Sequence, residues 1–230
     1  MKRHYASIFI GGGYFACGAA VSNGNSLVVE PSIYPGSDFA AGFHPGTDYA
    51  MLEHPFAVEF YEELIRRKVI VGGFVHPVAM TPVFALWCIR HEVNLLLSSA
   101  ATEISGNSLT VFSTDGLHTF TADRIIDLRP DETGRKYLTA LVYSPSLPPG
   151  RPGLRFYPLL PGNEFALELE LPGAATWEEA RRKLAEACRR TSTKRPEMRL
   201  LFTGTGFHYK KYPNAVAALD CGLRSAENGV

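Results

Sequence analysis

The most informative spacing in this sequence is Gly11-x-Gly13-x-x-Ala16, followed by the carboxylate of Glu30. The chemistry these residues suit is the cradling of a pyrophosphate. Gly11 permits a tight turn, and Gly13 lets backbone approach a phosphate with no side chain in the way. Ala16 is small enough for a helix to pack closely on a sheet. A helix opening at Tyr14 and Phe15 turns free N–H groups and the positive end of its dipole toward the anion. Glu30 is then placed to accept hydrogen bonds from a ribose diol. The candidate dinucleotide contacts are therefore Gly11, Gly12, Gly13, Tyr14, Phe15, Ala16 and Glu30. A glycine-rich turn beside a solvated Glu30 is the competing reading. The surrounding strand, helix and second strand weigh against it.

Those elements are legible around the motif. Tyr5 to Ile10 is a β-rich run of buried-strand type. Gly11-Gly12-Gly13 breaks it, Tyr14 to Ser22 is long enough for a short helix, and Asn23-Gly24 stops that helix. Ser26 to Val29 is a second strand ending on Glu30. Residues 31–46 form a loop rich in glycine, proline and small residues, in which Ala40-Ala41-Gly42 leaves room for a flat ligand. Helices are expected over 55–68 and 80–90, the latter with Pro82 in its first turn. Short strands are expected over 69–71 and 93–97.

From residue 100 the period changes. Residues 101–104, 108–113 and 117–122 read as three antiparallel strands, with turns at Gly106-Asn107 and Asp115-Gly116. Residues 124–128 read as a further strand rejoining the main sheet. A proline-rich stretch over 144–153 is the best domain boundary. Beyond it come strands near 154–157, 164–171 and 198–202, a helix opened by the capping box Thr176-Trp177-Glu178-Glu179, and a final helix over 213–227. The expected organisation is a dinucleotide-binding domain over 1–143, a small α+β region over 144–202, and a C-terminal helix over 203–230 that returns to the first domain.

Composition bounds the remaining possibilities. The chain has 230 residues, 46% of them hydrophobic, with 23 Lys+Arg against 23 Asp+Glu. It can bury a substantial core, and it lacks the basic excess of a dedicated nucleic-acid or anionic-membrane binder. The basic start Met1-Lys2-Arg3-His4 and Ala19-Ala20 have the outline of a secretory leader. Gly11, Gly12, Gly13 and Gly18 sit where such a leader needs a helical core, which favours the strand-and-turn reading. No apolar run reaches the roughly 18–20 residues of a membrane span. Cys17, Cys88, Cys188 and Cys221 are widely spaced, as expected of reduced thiols in a cytoplasmic protein.

The order of these elements resembles that of FAD-dependent oxidoreductases with a two-dinucleotide-binding-type flavin domain. The resemblance rests on Ile8-Phe9-Ile10-Gly11-Gly12-Gly13, Leu27-Val28-Val29-Glu30, Val93-Asn94-Leu95-Leu96-Leu97, Thr102-Glu103-Ile104 and Arg124-Ile125-Ile126-Asp127. It covers about the first 130 residues, with an echo in the last helix. It implies an α/β fold: a Rossmann-like FAD-binding sheet, a three-stranded β-meander and a small α+β region. It also implies that Gly11, Gly13 and Ala16 line the FAD pyrophosphate and that Glu30 holds the adenosine ribose. The Ala101 backbone would meet the adenine, and Ala40, Ala41 and Gly42 would lie near the flavin. Gly222 is a weaker contact. The sequence departs from the family in three ways. Its first helix is about one turn short, and a larger substrate domain is usual. Where members carry an Ala-Thr-Gly-Asp strand end, this chain has Asp127-Leu128-Arg129-Pro130-Asp131, in which only Asp131 can stand in.

The leading expectation is a flavin oxidoreductase acting on a small molecule, alone, as a homo-oligomer or with a partner subunit, without nucleic acid or membrane. A non-catalytic dinucleotide-binding or assembly subunit is the second reading. A nicotinamide-dependent enzyme is the third, disfavoured by the meander. No pattern assigns a catalytic group. His44, His54, His76, His118 and His208 are candidate proton handlers. Cys17 reads as a packing residue, and Lys210-Lys211 as a solvated pair.

Overall fold

The computed structural model describes residues 4–49, 52–130, 134–159 and 162–225. Strand β1 (His4–Ile10) runs into helix α1 (Tyr14–Asn23) and then β2 (Ser26–Val29). A short helix α2 (Ser37–Ala40) lies in the segment read as a loop. Helix α3 (Pro55–Arg66) leads to the hairpin β3 (Ile70–Val71) and β4 (Phe74–Val75). Gly72 and Gly73 turn that hairpin at φ of +58° and +82°, which a residue with a Cβ adopts only under strain. Helix α4 (Pro77–Arg90) begins three residues before the expected start, so Pro82 is interior to it rather than in its first turn.

The main sheet has six strands in the order β5-β2-β1-β8-β7-β6. β5 (Leu95–Leu96), β6 (Ala100–Ser105) and β7 (Ser108–Ser113) follow α4. β8 (Gly116–Asp127) corrects one expectation: the strands read separately at 117–122 and 124–128 are a single strand. Its first part pairs antiparallel with β7, and its remainder runs parallel to β1, from His4 opposite Thr121 to Ile10 opposite Asp127. The meander is therefore continuous with the Rossmann-like sheet. Alternating burial along β7 produced the strand signal. Ser108–Ser113 places Leu109 and Val111 in the core with Ile8, Ile10 and Phe120.

The second sheet has the order β10-β11-β9-β12. β9 (Lys136–Tyr143) was not anticipated, yet it pairs with both β11 (Glu164–Leu171) and β12 (Arg199–Thr203). β10 (Leu154–Pro158) forms an edge. The two sheets thus divide between residues 127 and 136, and the proline-rich stretch is a connection inside the second sheet. Helix α5 (Trp177–Lys194) covers this sheet through Ala180, Leu184 and Ala187, and Thr176 Oγ1 accepts the Glu179 N–H at its start.

Helix α6 (Ala215–Leu223) returns to the first layer and packs on α1. Small residues allow the close crossing. A Cβ at Gly18 would stand 2.5 Å from the Leu219 carbonyl oxygen, and one at Gly222 would collide with that of Phe15. Gly222 is therefore a helix-packing residue. Among the described residues, no helix is long and apolar enough to cross a membrane.

Candidate functional site

The glycine turn sits where β1 ends, and it is tied to the strands on either side. Gly11 adopts φ +105° and donates its N–H to the Val29 carbonyl, while Leu128 donates to that of Ile10. The Glu30 carboxylate then folds back over the turn. It accepts the Gly12 N–H at 2.5 Å, the Ser32 N–H at 2.8 Å and the Ser37 hydroxyl at 3.0 Å. Glu30 is only 3% exposed, so it is a buried bracket for the turn and not the solvated strand-end residue of the competing reading. A Cβ at Gly12 would stand 2.5 Å from the Glu30 Cβ, which explains the glycine there.

At Gly13 the neighbour is Asp38. A Cβ at Gly13 would lie 2.5 Å from Asp38 Oδ2. The main-chain N–H groups of Phe39, Tyr14 and Asp38 favour the charged form of the Asp38 carboxylate. A carboxylate therefore stands where the spacing Gly11-x-Gly13 calls for a phosphate, at the positive end of α1. Asp38 is solvent-exposed as a residue, though closely surrounded by protein. That desolvation, and then the Glu30 charge, raise its pKa to about 7. The seat fits an anion and carries no side chain of its own.

The other expected contacts fall into two groups. Tyr14 is fully buried and stacks on Phe84 at 4.0 Å, and Phe15 stacks on Tyr212 at 5.6 Å. Their side chains serve packing, and only their main chain can face a ligand. Ala16 is buried in the same core. Ala101 lies on edge strand β6, three strands from β1, but the chain enters that strand beside Glu30. Ser99 donates its N–H to the Glu30 carbonyl and Ser98 to that of Ser32. Asp131 lies outside the described residues.

Ala40, Ala41 and Gly42 are brought to the junction between the sheets, where Ala40 ends α2. The Ala41 carbonyl accepts the N–H groups of Thr205 and Gly206, and a Cβ at Gly42 would meet that of His208 at 2.8 Å. Close against this clasp lies a polar cluster that spacing did not reveal. His44, Glu168 and His208 are 5%, 2% and 3% exposed. The His44 and His208 rings stack at 4.2 Å. Glu168 Oε1 receives Lys210 Nζ at 2.6 Å and the Tyr157 hydroxyl at 3.2 Å. His208 Nε2 lies 3.1 Å from Thr139 Oγ1. Burial lowers the pKa of His44 to about 3 and also lowers that of His208. Burial pushes Glu168 the other way, but His208 and Lys210 overcome it and hold Glu168 at about 2. Lys210, read as solvated, is thus a partner of Glu168. The sequence held only the residue types; the junction brings together His44, Glu168 and His208, which lie 124 and then 40 residues apart along the chain. Cavities of about 500 and 670 Å³ lie elsewhere, around Arg151 and Arg195 and around Lys136 and Trp177.

No family model and no curated protein matches the chain. Solved structures do. Glycine oxidase from Geobacillus kaustophilus superposes with a TM-score of 0.61 at 11% identity, over 98% of this chain and 94% of that one. The myxobacterial chondrochloren halogenase, described as a variant of FAD-dependent halogenases, gives 0.58 at 11% identity, over 90% and 63%. The p-nitrophenol 4-monooxygenase of Pseudomonas putida gives 0.57 at 12% identity, over 99% and 78%. The chain spans about three fifths of the halogenase's length. This chain has the Rossmann-like α/β fold found in flavin-dependent oxidoreductases.

Proposed function

We propose that this chain binds FAD at the Gly11–Ala16 turn and acts as a flavin-dependent oxidoreductase on a small-molecule substrate. The observation that supports the reading is the glycine turn at the start of α1, where Gly13 brings no side chain of its own, Glu30 brackets Gly12, and the one carboxylate resting against Gly13 is that of Asp38. Bound FAD would supply the electron-transfer chemistry. The main chain of Gly12, Gly13, Tyr14 and Phe15 would hold the phosphates, and Glu30 the ribose hydroxyls. Ala101 would flank the adenine, and Ala40, Ala41 and Gly42 would border the flavin ring. Asp131 is the remaining candidate contact. A cytoplasmic location, and assembly as a homo-oligomer or with a partner subunit, belong to the same proposal.

The test is an absorption spectrum of the purified protein and a titration with FAD in both redox states. Bound flavin absorbing near 450 nm, roughly the band of the oxidised ring, is the expected result. Failure of either redox state to bind overturns the reading.

A second reading, a non-catalytic dinucleotide-binding or assembly subunit, draws on one observation. In Asp127-Leu128-Arg129, the Arg129 guanidinium pairs with Asp127 through bonds of 2.6 to 3.1 Å. That arrangement ties the Asp127 carboxylate to the protein's own cation. Bound FAD that chemical reductants reduce, but that no small-molecule donor reduces, would favour this reading.

A further inference from the structure

Two buried ring nitrogens at the junction of the two sheets, His44 Nδ1 and His208 Nδ1, lack a hydrogen-bond partner, and the buried Glu168 Oε2 makes no hydrogen bond, facing His208 Nε2 at 3.4 Å. A buried polar atom without a hydrogen bond is costly, so three in one place need a physical reason. One ligand-capable atom from each of these residues lies within 4.8 Å of the other two.

We propose that His44, Glu168 and His208 form a binding site for one divalent first-row transition ion of the zinc or cobalt class. Two imidazoles and one carboxylate are the donor set that borderline divalent ions take, with positions left for water or a ligand. The surroundings prepare each donor. Lys210 and Tyr157 engage only Oε1 of Glu168; Oε2 has the His208 Nε2 contact at 3.4 Å, which a bound ion would replace. When His208 Nε2 keeps its hydrogen and donates to Thr139 Oγ1, Nδ1 presents its lone pair.

One movement is required. A metal lies in the plane of each imidazole that binds it, and the two rings are stacked with planes 8° apart. One ring must therefore leave the stack. Thr139 holds His208, so His44 is the ring that turns.

The test needs no flavin, so its failure is separate from failure of the cofactor reading. The chelator-stripped protein is titrated with Co²⁺ and Zn²⁺, following the visible Co²⁺ spectrum and the melting temperature. The expected result is one Co²⁺ per chain with nitrogen and oxygen ligand-field bands, no thiolate charge-transfer band, and a raised Tm. Thr139→Val, which only orients a donor, should weaken binding by about 10–100-fold. His44→Gln and His208→Gln should weaken it more. No uptake by the wild-type protein, a thiolate band, or full affinity in His44→Gln would each overturn the proposal. The wild-type spectrum decides the matter even where a buried substitution unfolds the chain.

Discussion

The Asp38 carboxylate rests against Gly13, so close that a Cβ on the glycine would stand 2.5 Å from Oδ2. This chain thereby places its own anion at the helix end that the glycine spacing reserves for a phosphate. Under the proposed FAD binding, Asp38 and a pyrophosphate would compete for the same end of α1, and their charges would repel.

That competition gives a pH signature. Below about 7 Asp38 is neutral and can donate to a phosphate; above it the carboxylate is charged and repels. FAD affinity of the wild-type protein should therefore fall as pH rises through about 7. Like charges about 4 Å apart cost about 1 kcal/mol even at the full screening of water, which sets roughly fivefold in affinity as the least expected. Asp38→Ser should bind more tightly by that factor at pH 8 and lose the slope. Calorimetric titrations at pH 6 and pH 8 compare the two. A flat wild-type profile would remove Asp38 from the seat.

Gly12 and Gly13 should separate in their effects. A methyl at Gly12 meets the buried Glu30 side chain, which cannot retreat, so Gly12→Ala should destabilise by about 1–3 kcal/mol. A side chain at Gly13 meets only the far end of Asp38, which is exposed. Gly13→Val should therefore fold and yet fail to bind FAD. Urea midpoints followed by titration of the folded variant test both. Unchanged affinity in Gly13→Val would sink the phosphate assignment.

Glu30→Ala should do two things at once. It removes ribose hydrogen bonds worth roughly 1.5–3 kcal/mol, on the order of a ten- to hundredfold loss of FAD affinity. It also strands the buried Gly12 N–H that Glu30 accepts, at a cost of about 1–3 kcal/mol in stability. Circular dichroism melts and binding on the folded fraction separate the two. A variant equal to the parent in both would show that the bracket is idle.

Gly222→Ala should lower stability by at least about 1–3 kcal/mol, because the new methyl meets main chain at Phe15 rather than a yielding side chain. FAD affinity of the folded fraction should not change. A selective loss of affinity would return Gly222 to the cofactor site.

What the sequence determined by itself is local. Alternation in β7, the glycine break after β1 and the capping box before α5 are short-range patterns, and each formed the element its period predicts. Glu30 stood out because it ends a strand of the same supersecondary unit, eighteen residues from Gly12, but its bracketing of the turn was not legible in the sequence. Tertiary structure decided everything that depends on long-range pairing. Thr121 to Asp127 could not be seen as one strand with the preceding residues until β1 supplied a parallel partner. β9 took its place between β11 and β12, with its outer neighbours far along the chain. Asp38 became an occupant of the glycine seat only when α2 folded across it. His44, Glu168 and His208 became neighbours only when the two sheets met, because burial and distance, not spacing, turn three scattered residues into a site.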